Sequence, residues 1–246
     1  MRILLVNPNM TVSMTEVMTK IARDVAGDAA EIVPITATKG FPYIASRAEA
    51  QIAGGIALEM IADNLDGIDA VVIAAFGDPG VAGARELFDI PVIGMAEAAV
   101  MSAAMLGERF SIVTFSPLMT RWYADCVEDT GLGARFSGVR TPDLGAVDVA
   151  RVADELRDDL VALARASVVT DGADVILLGG APLAGVAPQI ADQVPAVVLD
   201  PIAAAVTQAM ALVTLSPHLV GRACKPAAKT SVGLGASLAG IIAKAV

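Results

Sequence analysis

The sequence predicts an α/β protein of two pseudo-symmetric lobes, each with a parallel sheet, and a site in the cleft between them. Three observations carry that prediction. Short unbroken apolar runs, Val71-Val72-Ile73-Ala74-Ala75 and Val175-Ile176-Leu177-Leu178, match strands buried on both faces, as in parallel sheets. Both runs end in small-residue corners, Phe76-Gly77-Asp78-Pro79-Gly80 and Gly179-Gly180-Ala181-Pro182, and open α/β sheets bind ligands beyond the carboxyl ends of their strands. Landmarks also recur at one spacing. Asn7-Pro8 and Ser116-Pro117 lie 109 residues apart, Ala75 and Gly180 lie 105 apart, and Pro91 and Pro195 lie 104 apart. A repeat of that length predicts two similar βαβ-type halves. The expected lobes are residues 1–98 with 206–246, and residues 99–205.

In chain order, Ile3 to Val6 reads as the first buried strand, closed by the turn Asn7-Pro8-Asn9. Thr11 or Ser13 is placed to cap a helix reaching about Ala26. Glu31 to Pro34 is a second strand, and residues 37–43 form an irregular loop with Tyr43. The Ala, Ile and Leu spacing from Ser46 to about Leu65 suits a helix. After the strand at Val71 come the glycine corner and a helix near Val81 to Leu87. Pro91 to Gly94 is a fourth strand, running into a long Ala/Met helix. The pattern then restarts at Arg109, with Cys126 on a helix. Residues 221–246 have no counterpart in the first half, and Leu238 to Ala245 reads as a packing helix.

Composition excludes several classes. With 55% hydrophobic residues, disorder is excluded, and 17 Lys and Arg against 27 Asp and Glu give a net charge of -10. Without a basic cluster, nucleic acid and anionic membranes are excluded as partners. The start of the chain lacks signal-peptide character, and no apolar run approaches the ~20 residues of a membrane span. A reducing cytoplasmic setting is expected. Two cysteines and one histidine form no disulfide framework and no metal set. High Ala and Met content and a mean hydropathy of +0.66 predict a homo-oligomer.

Asn7-Pro8-Asn9, Phe76-Gly77-Asp78-Pro79-Gly80 and Leu178-Gly179-Gly180-Ala181 together resemble the hydantoin/allantoin racemase branch of the Asp/Glu racemase superfamily. That resemblance spans nearly the whole chain. It implies two facing α/β lobes and cofactor-independent racemisation, in which one cysteine removes the α-proton and an opposed cysteine delivers another. Here the two cysteine positions hold Ala75 and Gly180, and neither can transfer a proton. The resemblance therefore predicts a relative that does not use two thiols. Cys126 reads as structural, and Cys224 as incidental.

Other groups are candidates for the chemistry. Glu97 opens a helix at a strand end, and Asp78 sits in the glycine corner; either carboxylate is a candidate acid or base, although helix-dipole stabilisation and capping also account for them. Asn7 and Asn9 lie at the cleft mouth, as do Thr114 and Ser116 in the second half, where they suit a carboxylate or cyclic amide. Phe76, Gly77, Gly180 and Ala181 bring backbone N–H groups to the corners, and Tyr43 is placed to close the pocket. Asp200 before Pro201 reads as a helix cap, and His218 as a surface residue.

Two classes of function follow. One is an enzyme acting on a small cyclic amide, ureide or amino-acid derivative, either a racemase with other bases or a hydrolase or lyase whose emptied corners admit water or a larger substrate. The other is a ligand-binding relative that has lost the reaction.

Overall fold

The computed structural model describes residues 1–143, 152–215 and 225–244. His218 and Cys224 lie outside them. Two four-stranded parallel sheets form the frame. The first contains β1 (Arg2–Asn7), β2 (Glu31–Thr36), β3 (Ala70–Ile73) and β4 (Val92–Gly94), in the order β2-β1-β3-β4. The second contains β5 (Phe110–Val113), β6 (Phe136–Arg140), β7 (Val175–Leu178) and β8 (Val197–Leu199), in the order β6-β5-β7-β8. The two orders are one order shifted by four strands, which is the repeat that the landmark spacing predicts.

The helices are α1 (Val12–Ala26), α2 (Arg47–Asp63), α3 (Val81–Leu87), α4 (Met95–Leu106), α5 (Thr120–Asp129), α6 (Val152–Glu155), α7 (Arg157–Asp171), α8 (Ala187–Ile190), α9 (Pro201–Leu215) and α10 (Ala236–Ile242). In β1, Ile3, Leu4, Leu5 and Val6 are all fully buried, as a strand covered on both faces requires. Ile3, Leu5 and Val72 face a core that also takes in Phe110, Ile112 and Leu177 of the second sheet. Leu4, Val6, Val71 and Ile73 face a smaller core with α2 and α3. The larger core therefore joins the sheets.

Two helices carry that junction. α9 follows the second sheet in sequence, yet packs on α1, α4, β3 and β4 of the first half. α4 follows the first sheet and packs on β7 as well as on α9. Each half thus hands its last helix toward the other.

Several boundaries move from their expected places. β1 and β2 run on to Asn7 and Thr36, because their register pairs Val6 with Ile35 and Asn7 with Thr36. β3 ends at Ile73 instead of Ala75, since Ala75 already accepts from Asp78 N to close the corner turn. Thr11 is the residue before α1, but its hydroxyl donates to Pro42 O at 2.6 Å and caps nothing. Ser46 caps α2, accepting from Glu49 N at 3.2 Å, while Glu49 returns a carboxylate to Ala45 N at 2.6 Å. Among the described residues, no helix is long and apolar enough to cross a membrane.

Candidate functional site

The corner after β3 and the corner after β7 meet across the junction of the two halves. Ala75, Phe76, Gly180 and Ala181 line one small pocket together with Asn9, Tyr43, Ile44 and Tyr123. The space between them is about 10 Å³, close to the least that holds a single water.

Phe76 and Tyr123 pack with ring centroids 4.5 Å apart, and Tyr43 meets Phe115 at 5.9 Å. The Tyr43 hydroxyl reaches Met119 Sδ at 3.2 Å. Gly180 shows why the corners are not open space. Its φ of +116° is one that residues with a side chain rarely adopt. A Cβ there would stand 3.0 Å from Phe115 Cε1 and 3.3 Å from the Tyr123 hydroxyl. The expectation of emptied corners is corrected: aromatic side chains of the second half fill the volume.

The two candidate carboxylates are otherwise engaged. Asp78 is half-buried, and its oxygens accept from Ala96 N at 2.8 Å and Glu97 N at 2.7 Å, closing the first turn of α4. Burial raises its carboxyl to about 7, against the opposing effect of those two backbone donors. Asp78 also has a φ of 50°, the one positive φ among the described non-glycine residues. Glu97 forms a two-pronged ion pair with Arg85, one prong Arg85 Nη1 to Oε1 at 3.0 Å, and does not line the pocket. Neither carboxylate faces the space between the corners.

The remaining candidates divide. Asn7 is fully buried and spent on the turn: its Nδ2 donates to Asn9 Oδ1 at 3.1 Å and Thr15 Oγ1 at 2.9 Å, and its Oδ1 accepts from Asn9 N at 3.2 Å. Thr114 is buried and donates to Gly179 O at 2.8 Å. Ser116 is half-buried at the start of a short 3₁₀ turn, outside the pocket lining. Gly77, with φ +111°, lies against Trp122 and faces a separate groove of about 710 Å³ that also includes Asp78 and Cys126. Burial pushes the Cys126 thiol up to about 12, so it remains protonated. Asp200 caps α9, accepting from Ile202 N at 2.8 Å and Ala203 N at 3.2 Å.

Asn9, Tyr43, Phe76, Gly180 and Ala181 are therefore brought together. Tyr123 and Ile44 join them unannounced by the sequence. Tyr123 is 1% exposed, and its hydroxyl lies beside those of Tyr43 and Thr114. Burial pushes both tyrosine hydroxyls above their ordinary value, so both hold their protons at neutral pH. The signal for Tyr123 was the aromatic pair Trp122-Tyr123 on a helix, six residues beyond Ser116-Pro117, which no periodicity argument connects to either corner.

Comparison with known proteins agrees with this architecture. The family model described as Asp/Glu/Hydantoin racemase matches residues 3–209. A hydantoin racemase of Paenarthrobacter aurescens is 33% identical over 217 residues, covering 87% of this chain and 92% of that protein. An allantoin racemase structure from Klebsiella pneumoniae superposes with a TM-score of 0.88 at 32% identity, covering 96% of this chain and 98% of that one. Another, from Pseudomonas fluorescens, gives a TM-score of 0.86 at 32% identity, covering 95% and 100%. With the match reaching from β1 into α9, this chain belongs to the Asp/Glu/hydantoin racemase family.

Proposed function

We propose that the chain binds a small cyclic amide, ureide or related amino-acid derivative between Ala75 and Gly180, needs no cofactor, and does not exchange a substrate proton between two thiols. One observation carries this reading. Ala75 and Gly180 share a pocket whose proton-bearing side chains are the Asn9 amide and the hydroxyls of Tyr43 and Tyr123. The names of the racemase relatives supply the substrate class. Entry of a ring requires more than the present volume, so the corners part on binding, separating Phe76 from Tyr123.

A second reading, a ligand-binding relative without turnover, is favoured by a specific feature. The pocket lining offers donors but no carboxylate, thiol or imidazole to act as a base near neutral pH. Incubation with optically pure hydantoins and allantoin, following isomer composition and ring opening in the same tube, decides between the readings. Change in either supports an enzyme; binding with no change supports the second reading; absence of binding contradicts both.

A further inference from the structure

The pocket has a chemical polarity. The Asn9 Oδ1 accepts from Thr11 N at 3.0 Å and from Asn7 Nδ2 at 3.1 Å, so its oxygen is occupied. Its Nδ2 keeps one contact, 3.8 Å to the Met14 sulfur, and a thioether is a weak acceptor. The amide is 2% exposed and presents its donors at the pocket.

The hydroxyls on the Gly180 side divide their protons. Thr114 gives its proton to Gly179 O at 2.8 Å, and Tyr43 gives its proton to Met119 Sδ at 3.2 Å. The Tyr123 proton is left to turn toward Tyr43 or toward a ligand. Among the described residues, no group accepts from the backbone N–H of Gly180 or Ala181. A pocket with donors on both sides and no carboxylate in its lining suits oxygen atoms of the ligand.

We propose that Tyr123 is a specificity-determining residue of this site, its hydroxyl donating to a ring carbonyl oxygen of the ligand with the Asn9 amide as second donor. The inference rests on the proposed function, because it takes the pocket between Ala75 and Gly180 as the ligand site. Tyr123→Phe removes only the hydroxyl and keeps the ring that packs on Phe76. A buried carbonyl that loses its donor weakens binding by about tenfold to a hundredfold.

The test is titration calorimetry of the whole chain with hydantoin, allantoin and the 2-thio and 4-thio analogues of hydantoin. The wild type is expected to bind an oxo ring, and Tyr123→Phe to bind it about tenfold to a hundredfold more weakly. For the thio analogue at the contacted carbonyl the two proteins are expected to match, since sulfur is a poor acceptor. Equal affinity of wild type and Tyr123→Phe for every oxo ring overturns this inference and leaves the proposed function standing. Failure of the wild type to bind any ring overturns the proposed function, and the inference with it. Should Tyr123→Phe not fold, the wild type decides alone, and equal affinity for oxo and thio rings overturns the inference.

Discussion

Asp78 and Asp200 make the same tie in opposite directions. Asp78, in the corner after β3, sends its carboxylate forward to Ala96 N and Glu97 N at the start of α4. Asp200, at the start of α9, sends one oxygen back to Gly185 N beyond the corner after β7, at 2.7 Å. Each half thus ties the segment after its third strand to the helix that it hands to the other half, with one carboxylate in either case. Burial raises both carboxyls, and backbone donors hold them down.

Removing the first tie should loosen the fold. Asp78→Asn tolerates the positive φ but offers one acceptor in place of two. One backbone N–H of α4 is left without its acceptor, a cost of about 1–3 kcal/mol. Denaturant unfolding of wild type and variant measures it. No change would mean that the corner is held by packing alone.

The same carboxyl sets a pH dependence. Its folded value, about 7, lies above the unfolded value near 4, so the folded state holds the proton more tightly. That contribution is fully present below about pH 4 and is lost as pH rises through about 7. The stability of wild type relative to Asp78→Asn should therefore fall across that window. Parallel stability curves for the two proteins would contradict it.

A side chain at Gly180 would be strained and crowded. Gly180→Ala forces a residue with a Cβ into φ +116° and against Phe115, at a cost of about 1–3 kcal/mol. Thermal unfolding checks this. A variant as stable as wild type would show that Phe115 and Tyr123 yield easily.

Much of this was legible in the chain because repetition survives without detail. Ala75 and Gly180 each lie two residues past equivalent strand ends, Ile73 and Leu178, while register matches Asn7 to Thr114, two residues before Ser116, and apolar runs such as Ile3 to Val6 announce buried parallel strands. β6 gives no such signal: Phe136 to Arg140 is an edge strand, half-buried throughout, with a glycine inside it. Tyr123 was hidden for a different reason. Its place beside Gly180 follows from how α5 packs, and no local pattern encodes that contact. Asp78 looked like a candidate acid because a corner carboxylate can face either a ligand or a helix end, and only the backbone of α4 decides which.

Association is the fourth prediction. Met105 is 82% exposed on α4 and Leu215 is 76% exposed on α9, two helices that pack on each other. Apolar surface of this kind favours a homo-oligomer. Light scattering should return a multiple of the chain mass, and a single monomeric mass at working concentrations would oppose the prediction.

The central claim is that Ala75 and Gly180 bound a ligand site that does not run on paired thiols. Deuterium exchange at C5 of optically pure 5-substituted hydantoins, before and after thiol alkylation, tests it most directly. Losing acid and base groups each worth roughly 10²–10⁴-fold leaves exchange near background, and alkylation should change nothing. Fast exchange abolished by alkylating Cys126 or Cys224 would contradict the account.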